Sequence, residues 1–228
     1  MTTDLLALLQ FTDGLFPAGG FAHSFGLETY TQSGMVCDRA SLLAFLEAHL
    51  EGTAGPADAV AVAIAVRHAV AGDLAACVEL DHRLEAMKWV PESASASRQM
   101  GRQTARVAAA IGDDVFLHGL AEAIDEGKTP GHHAVLFGAV TGRAGNDATA
   151  AATAFLYATS ALIVNAALRL LSLGQVEGQR LLAEVRPRIA RLAAVAGVRR
   201  VDEMWSFSPG LEIAGVEHAD LEMRLFRS

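Results

Sequence analysis

Positive charge is scarce in this chain of 228 residues, where 18 lysines and arginines face 26 acids for a net charge of −8. That balance argues against nucleic acid as the main partner, because phosphate recognition draws on a basic surface. Lysine is limited to Lys88 and Lys128, so nearly all positive charge is arginine, the residue suited to bidentate contact with carboxylates at protein interfaces. Cysteine is limited to Cys37 and Cys77, too far apart in sequence to suggest a disulfide framework or a metal knuckle. No basic, apolar leader with a small-residue cleavage site opens the sequence, and the expected compartment is the reducing cytoplasm. Aromatics supply only 6% of residues against 52% hydrophobic, and no run of alternating β-branched residues occurs. A β-sandwich is thereby disfavoured. A core of Ala, Leu and Val points to an all-α, single-domain bundle of about ten helices over residues 1–228.

What is present is concentrated in Leu15–Val36, LFPAGGFAHSFGLETYTQSGMV. Pro17 fixes one φ, while Gly19 and Gly20 permit the positive φ or close approach that a sharp turn needs. Phe21 is expected to open a helix that Gly34 closes in left-handed geometry, with Gly26 inside it admitting a neighbouring backbone. One chemical reading of Ala22-His23-Ser24-Phe25-Gly26 is a nucleophile elbow, with Ser24 as a hydrolase nucleophile. The Pro/Gly turn ahead of it lacks the buried strand such an elbow requires.

Helix signals punctuate the rest. Thr3-Asp4 cap a first helix that ends near Thr12-Asp13-Gly14; Asp38 caps a second, which Gly52 is expected to end. Gly55-Pro56 is expected to start another that reaches Gly72. Asp73 caps the next, which Pro91 closes. Pro91-Glu92 opens a helix to Ile111 that carries Arg98, Arg102 and Arg106 as a basic stripe, most simply a solvated face. Asp113-Asp114 begin another, and Gly127–Gly131 forms a loop that lacks the Walker glycine spacing. A helix after Gln175 is expected to kink or break at Pro187 before Gly197. From Ser206 to Ser228 a tail follows, with Leu221, Leu225 and Phe226 on one apolar face; too short to hold a helix alone, it is expected to be mobile in the free protein.

Between Asp147 and Arg169 lie twenty-one uncharged residues, long enough to span a bilayer. Thr149, Thr153, Tyr157, Thr159, Ser160 and Asn165 dilute the run and no aromatic belt flanks it, so a central core helix from Ala148 to about Leu173 is expected, with no membrane contact. Its small residues also suit a homodimer face. The eight histidines include no pair at i, i+4, and His132-His133 would splay on a helix, so no metal site, cofactor or catalytic residue is assigned.

Three ordered motifs resemble the urease accessory protein F family. The first is carried by Leu15, Pro17, Gly20, Phe21, Ser24, Gly26, Leu27, Glu28 and Gly34, with His23 in place of the usual tyrosine. The second comprises Arg169, Leu173, Gly174 and Gln175, and the third is the closing Arg224, Leu225, Phe226, Arg227 and Ser228. The resemblance covers most of the chain. It implies an all-helical dimer without catalysis of its own, which binds urease accessory protein D on one side and the GTPase accessory protein G on the other and helps pass nickel to apo-urease. These motif residues would be structural or partner-binding. The alternative is a cytosolic hydrolase using Ser24.

Overall fold

The computed structural model describes residues 2–228, with side chains from Thr3 onward. Among the described residues no strand forms and there are ten helices. They are α1 (Thr2–Thr12), α2 (Leu27–Gln32), α3 (Arg39–Ala71), α4 (Leu74–Met87), α5 (Pro91–Ile111), α6 (Val115–Asp125), α7 (His133–Arg143), α8 (Ala148–Leu170), α9 (Gln175–Val198) and α10 (Pro209–Glu217). Three aspartate caps act as their spacing predicts and Asp147 adds a fourth, whereas Thr3 and Asp4 lie inside α1 instead of capping it. Asp38 accepts from the Ser41 amide, Asp73 from Ala76, Asp147 from Ala150, and Asp114 from Phe116 and Leu117. Each satisfies an amide that the first helical turn leaves without a partner.

The core lies where alanine and glycine let helices touch. Val60 to Val66 of α3 are buried throughout, as are Ala134 to Gly142 of α7. A Cβ on Gly138 would overlap the Val62 carbonyl, and one on Gly142 would stand 3.0 Å from Val66 Cα, so the two helices meet backbone to backbone. The apolar helix α8 runs through the middle of the bundle, packing on α1, α2, α3, α7 and α9. By length and composition α8 and α3 are each apolar enough to cross a membrane, but half of the α8 window and 78% of the α3 window are buried within the protein.

Two expectations of helix ends are corrected. Gly52 does not end a helix and Gly55-Pro56 does not start one. Instead α3 runs on through a wider π-helical stretch, Leu50–Ala59, that accommodates Pro56. An extended segment passes alongside it, and the Phe207 and Trp205 amides donate to the Gly52 and Pro56 carbonyls at 2.9 and 3.3 Å. Gly52 has no room for a side chain there, because a Cβ would overlap Ser208. Helix α9 likewise continues through Pro187. Pro187 and Ala183, whose carbonyl loses its donor, both lie at the exposed surface, where water serves instead.

Candidate functional site

The Leu15–Gly34 stretch folds into a turn rather than one long helix. Gly19 takes φ +86°, a short 3-10 turn covers Gly20–Ala22, and His23 is extended. Phe25 and Gly26 then adopt left-handed angles in succession, φ 58° and 84°, so Gly26 precedes α2 instead of sitting inside it. The early helix start at Phe21 is thus corrected. Gly34 does close α2 with φ +76°. A bulky residue at positive φ is strained. The Phe25 ring is held edge-on to His49 at 5.7 Å. Gly20 serves close approach, since a Cβ would stand 2.7 Å from Leu162 Cδ1 and 3.0 Å from Met100 Cε. Phe21 and Leu15 project outward, 72% and 93% exposed, and Pro17 is exposed between them.

Behind this turn the motifs of both ends converge. The Ser24 amide and hydroxyl both donate to the Ser228 main-chain oxygen, at 2.6 and 2.9 Å, and Ser24 Oγ accepts from the Glu28 amide. His23 Nδ1 lies 2.8 Å from Ser228 Oγ. The Arg227 amide donates to the Ala22 carbonyl at 2.8 Å. Glu28, 1% exposed, accepts from the Leu225 amide at 2.6 Å and the Phe226 amide at 3.0 Å. Its carboxylate also faces His218 Nε2 at 3.1 Å, while His218 Nδ1 is 2.6 Å from Glu92, which in turn pairs with Arg224 at 2.8 Å. Arg169 lies over the buried Phe226 ring, 4.5 Å from its centroid, with one nitrogen 3.4 Å from the Phe21 carbonyl. Leu27 is fully buried beneath.

The tail therefore departs from the mobile segment expected of it. Leu221, Leu225 and Phe226 form no helix face; a 3-10 turn covers His218–Asp220, Leu225 stays 53% exposed, and Phe226 is buried. The reason is Glu28. A buried carboxylate demands donors, and the tail supplies two amides that would otherwise need water. Gly174 and Gln175 do not join this knot. They open α9 at the surface, Gly174 as an N-cap with no atom within 4 Å of where its Cβ would stand.

The chemistry of this arrangement is fastening. Ser24 is fully buried, its hydroxyl engaged with Ser228, and it follows a 3-10 turn rather than a strand, so the elbow geometry is absent. Burial lowers the His23 pKa, and Arg227 adds to this while Glu92 opposes it. A cavity of about 150 Å³ lies nearby, lined among others by Phe25, His49, Asp58, Lys88, Met100 and His133. Lys88 pairs with Asp58 at 2.7 Å. Burial drives both His49 and His133 to about 4, against the pull of Asp58 and with the help of Lys88. His132 points elsewhere, to Glu85 at 2.6 Å and Ser97 at 3.0 Å. Among the described residues no three His, Cys, Asp or Glu side chains gather as a metal-binding group.

Sequence reasoning missed His218, Glu92, Asp58 and Lys88 as members of these clusters. Lys88 carried the one usable signal, as one of only two lysines in the chain. His218 and Glu92 carried none, because their partners lie 190 and 126 residues away in sequence.

Fold and site define an all-α protein whose signature residues lock its N-terminal turn to its own tail and leave apolar side chains outside. The UreF family model matches residues 36–186. Over its whole length the chain is similar to proteins named urease accessory protein UreF: 32% identical to that of Bacillus sp. (strain TB-90), covering 98% of this chain and 99% of that protein, and 34% identical to that of Trichodesmium erythraeum (strain IMS101), covering 98% and 97%. The relative from Lachnoclostridium phytofermentans is 28% identical across the full length of both. The chain belongs to the UreF family, the accessory proteins of urease maturation. The N-terminal signature lies ahead of the span matched by the family model and is covered by these whole-length relatives.

Proposed function

We propose that the protein is a non-catalytic scaffold of urease maturation, acting in the cytoplasm as a homodimer that bridges urease accessory protein D and the GTPase accessory protein G while nickel passes to apo-urease. The observation that carries this reading is the coupling of a buried knot to an exposed apolar rim. Ser24, Glu28, Arg169 and Phe226 are consumed by internal contacts, whereas Leu15, Phe21, Met223 and Leu225 around them are 93%, 72%, 81% and 53% exposed. Apolar side chains held at a rigid rim suit protein association. A scaffold of this kind couples the GTPase state to metal transfer through unequal affinity for two states of a partner. Small residues along α8, Ala154, Ala158 and Ala161, remain partly exposed beside Tyr157 and supply a face for the second copy.

The test is co-purification of the tagged chain with accessory proteins D and G from cells expressing a urease operon, with the mass of the isolated chain measured by light scattering. Recovery of both partners and a dimeric mass support the reading. A monomer that recovers neither partner overturns it.

A further inference from the structure

Nine of the sixteen arginines of this acidic chain pair with a carboxylate, and two of those that do not stand side by side on one helix face. Arg39, Arg83, Arg143, Arg188 and Arg200 all stand within ion-pair distance of a carboxylate. On α5, Arg98 does so too, donating to Glu85 at 2.6 Å. One and two turns further along the same face, Arg102 and Arg106 are exposed and have no carboxylate partner among the described residues, although acids outnumber bases 26 to 18. Both line a groove of about 760 Å³ between α5 and α6, where Ala105, Ala109, Ala121 and Ile124 lie among polar side chains that include Gln99, Gln103 and Asp125.

The groove is rigidly built. A Cβ on Gly101 would overlap the Gly131 carbonyl, so α5 lies directly on the loop before α7. Asp81 holds that loop from beneath, accepting from Thr129 Oγ1 at 2.6 Å and the His132 amide at 2.9 Å. The Arg102 stem lies on the same loop, its Cγ 3.4 Å from where a Gly131 Cβ would stand. The Arg102 stem is therefore positioned while its guanidinium group stays exposed.

We propose that this groove docks an acidic amphipathic helix of a partner protein. Residues four apart rise about 6 Å along α5, the spacing of carboxylates four apart on an opposing helix. Guanidinium groups pair bidentately with carboxylates, and the small side chains of Ala109 and Ala121 between them leave room for a second helix. Nucleic acid fits less well. The groove contains no lysine and no aromatic ring for base stacking. The assignment goes beyond the scaffold reading and does not depend on which protein supplies the helix.

The experiment uses the full chain and an 18-residue fluorescent peptide of alanine, leucine and glutamate, with glutamates four residues apart on one face. Its control is the same peptide with glutamine for glutamate. The glutamate peptide is expected to bind at least roughly tenfold more tightly than the control and to weaken as salt rises. Arg102→Gln/Arg106→Gln should abolish that difference with the melting temperature unchanged, while Arg186→Gln, at another exposed arginine without a carboxylate partner, should preserve it. Equal binding of the two peptides overturns the proposal, as does an equal loss with Arg186→Gln. A single-stranded DNA of equal charge that binds more tightly than the glutamate peptide overturns it in favour of nucleic acid.

Discussion

The Phe226 amide donates to Glu28 Oε2 at 3.0 Å, joining positions 198 residues apart in the chain. The neighbouring Leu225 amide donates to the other oxygen of the same carboxylate at 2.6 Å. One side chain thus organises the return of the tail to the N-terminal turn, and its removal strands three groups at once.

Deleting Arg224 to Ser228 is accordingly expected to destabilise the protein. It removes the buried Phe226 ring and leaves Ser24 and the buried Glu28 without their tail partners. The cost should be about 2–4 kcal/mol, a drop of roughly 5–15 °C in melting temperature for a chain of this size. Glu28→Ala should fall in the same range. Calorimetry checks both, and an unchanged melting temperature would show that the tail contributes no stability.

Two glycines should behave oppositely. Gly101→Ala forces a methyl group onto the Gly131 carbonyl, a backbone atom that cannot swing aside, and should cost more than about 3 kcal/mol or prevent folding. Gly174→Ser meets open space at an extended N-cap, φ −80°, and supplies a capping hydroxyl, so it should be neutral or stabilise by a few tenths of a kcal/mol, about 0.2–0.5. Urea denaturation of both variants provides the comparison.

Acid should destabilise the fold through His49 and His133. Their folded pKa of about 4 lies below the ordinary 6.5, so between these values the unfolded chain binds protons that the folded chain refuses. Stability is fully present above pH 6.5 and is lost as pH falls toward 4, by up to roughly 3 kcal/mol per histidine. His49→Gln, neutral at every pH, should flatten the slope of stability against pH in that window. A parallel slope in the variant would mean that His49 protonates equally well in both states.

The exposed rim should separate association from stability. Phe21→Ser and Leu225→Ser alter side chains that are 72% and 53% exposed, so stability should change by no more than about 0.5 kcal/mol. Recovery of other urease accessory proteins with the tagged chain should fall at least roughly tenfold, the loss expected when apolar anchors leave an interface. Undiminished recovery with both variants would move the interface elsewhere.

What the sequence by itself determined was local. Asp38, Asp73 and Asp114 cap helices because a short acceptor reaches its own first-turn amides, and Pro91 opens α5 because a missing N–H costs nothing at the first helical position. The motif order also pointed to Ser24, Glu28, Arg169 and Phe226 before any contact among them was visible. Tertiary structure alone decided how those residues are used. The passage of α3 through Pro56 depends on amides of residues 205 and 207, and the docking of the tail depends on a carboxylate nearly two hundred residues away. Gly26 is a left-handed entry to α2 rather than a mid-helix residue, in a stretch whose Ser24 and Glu28 are both bonded to the tail. Such partners are brought together by burial, whose driving force is non-directional and leaves no period or spacing in the chain to read.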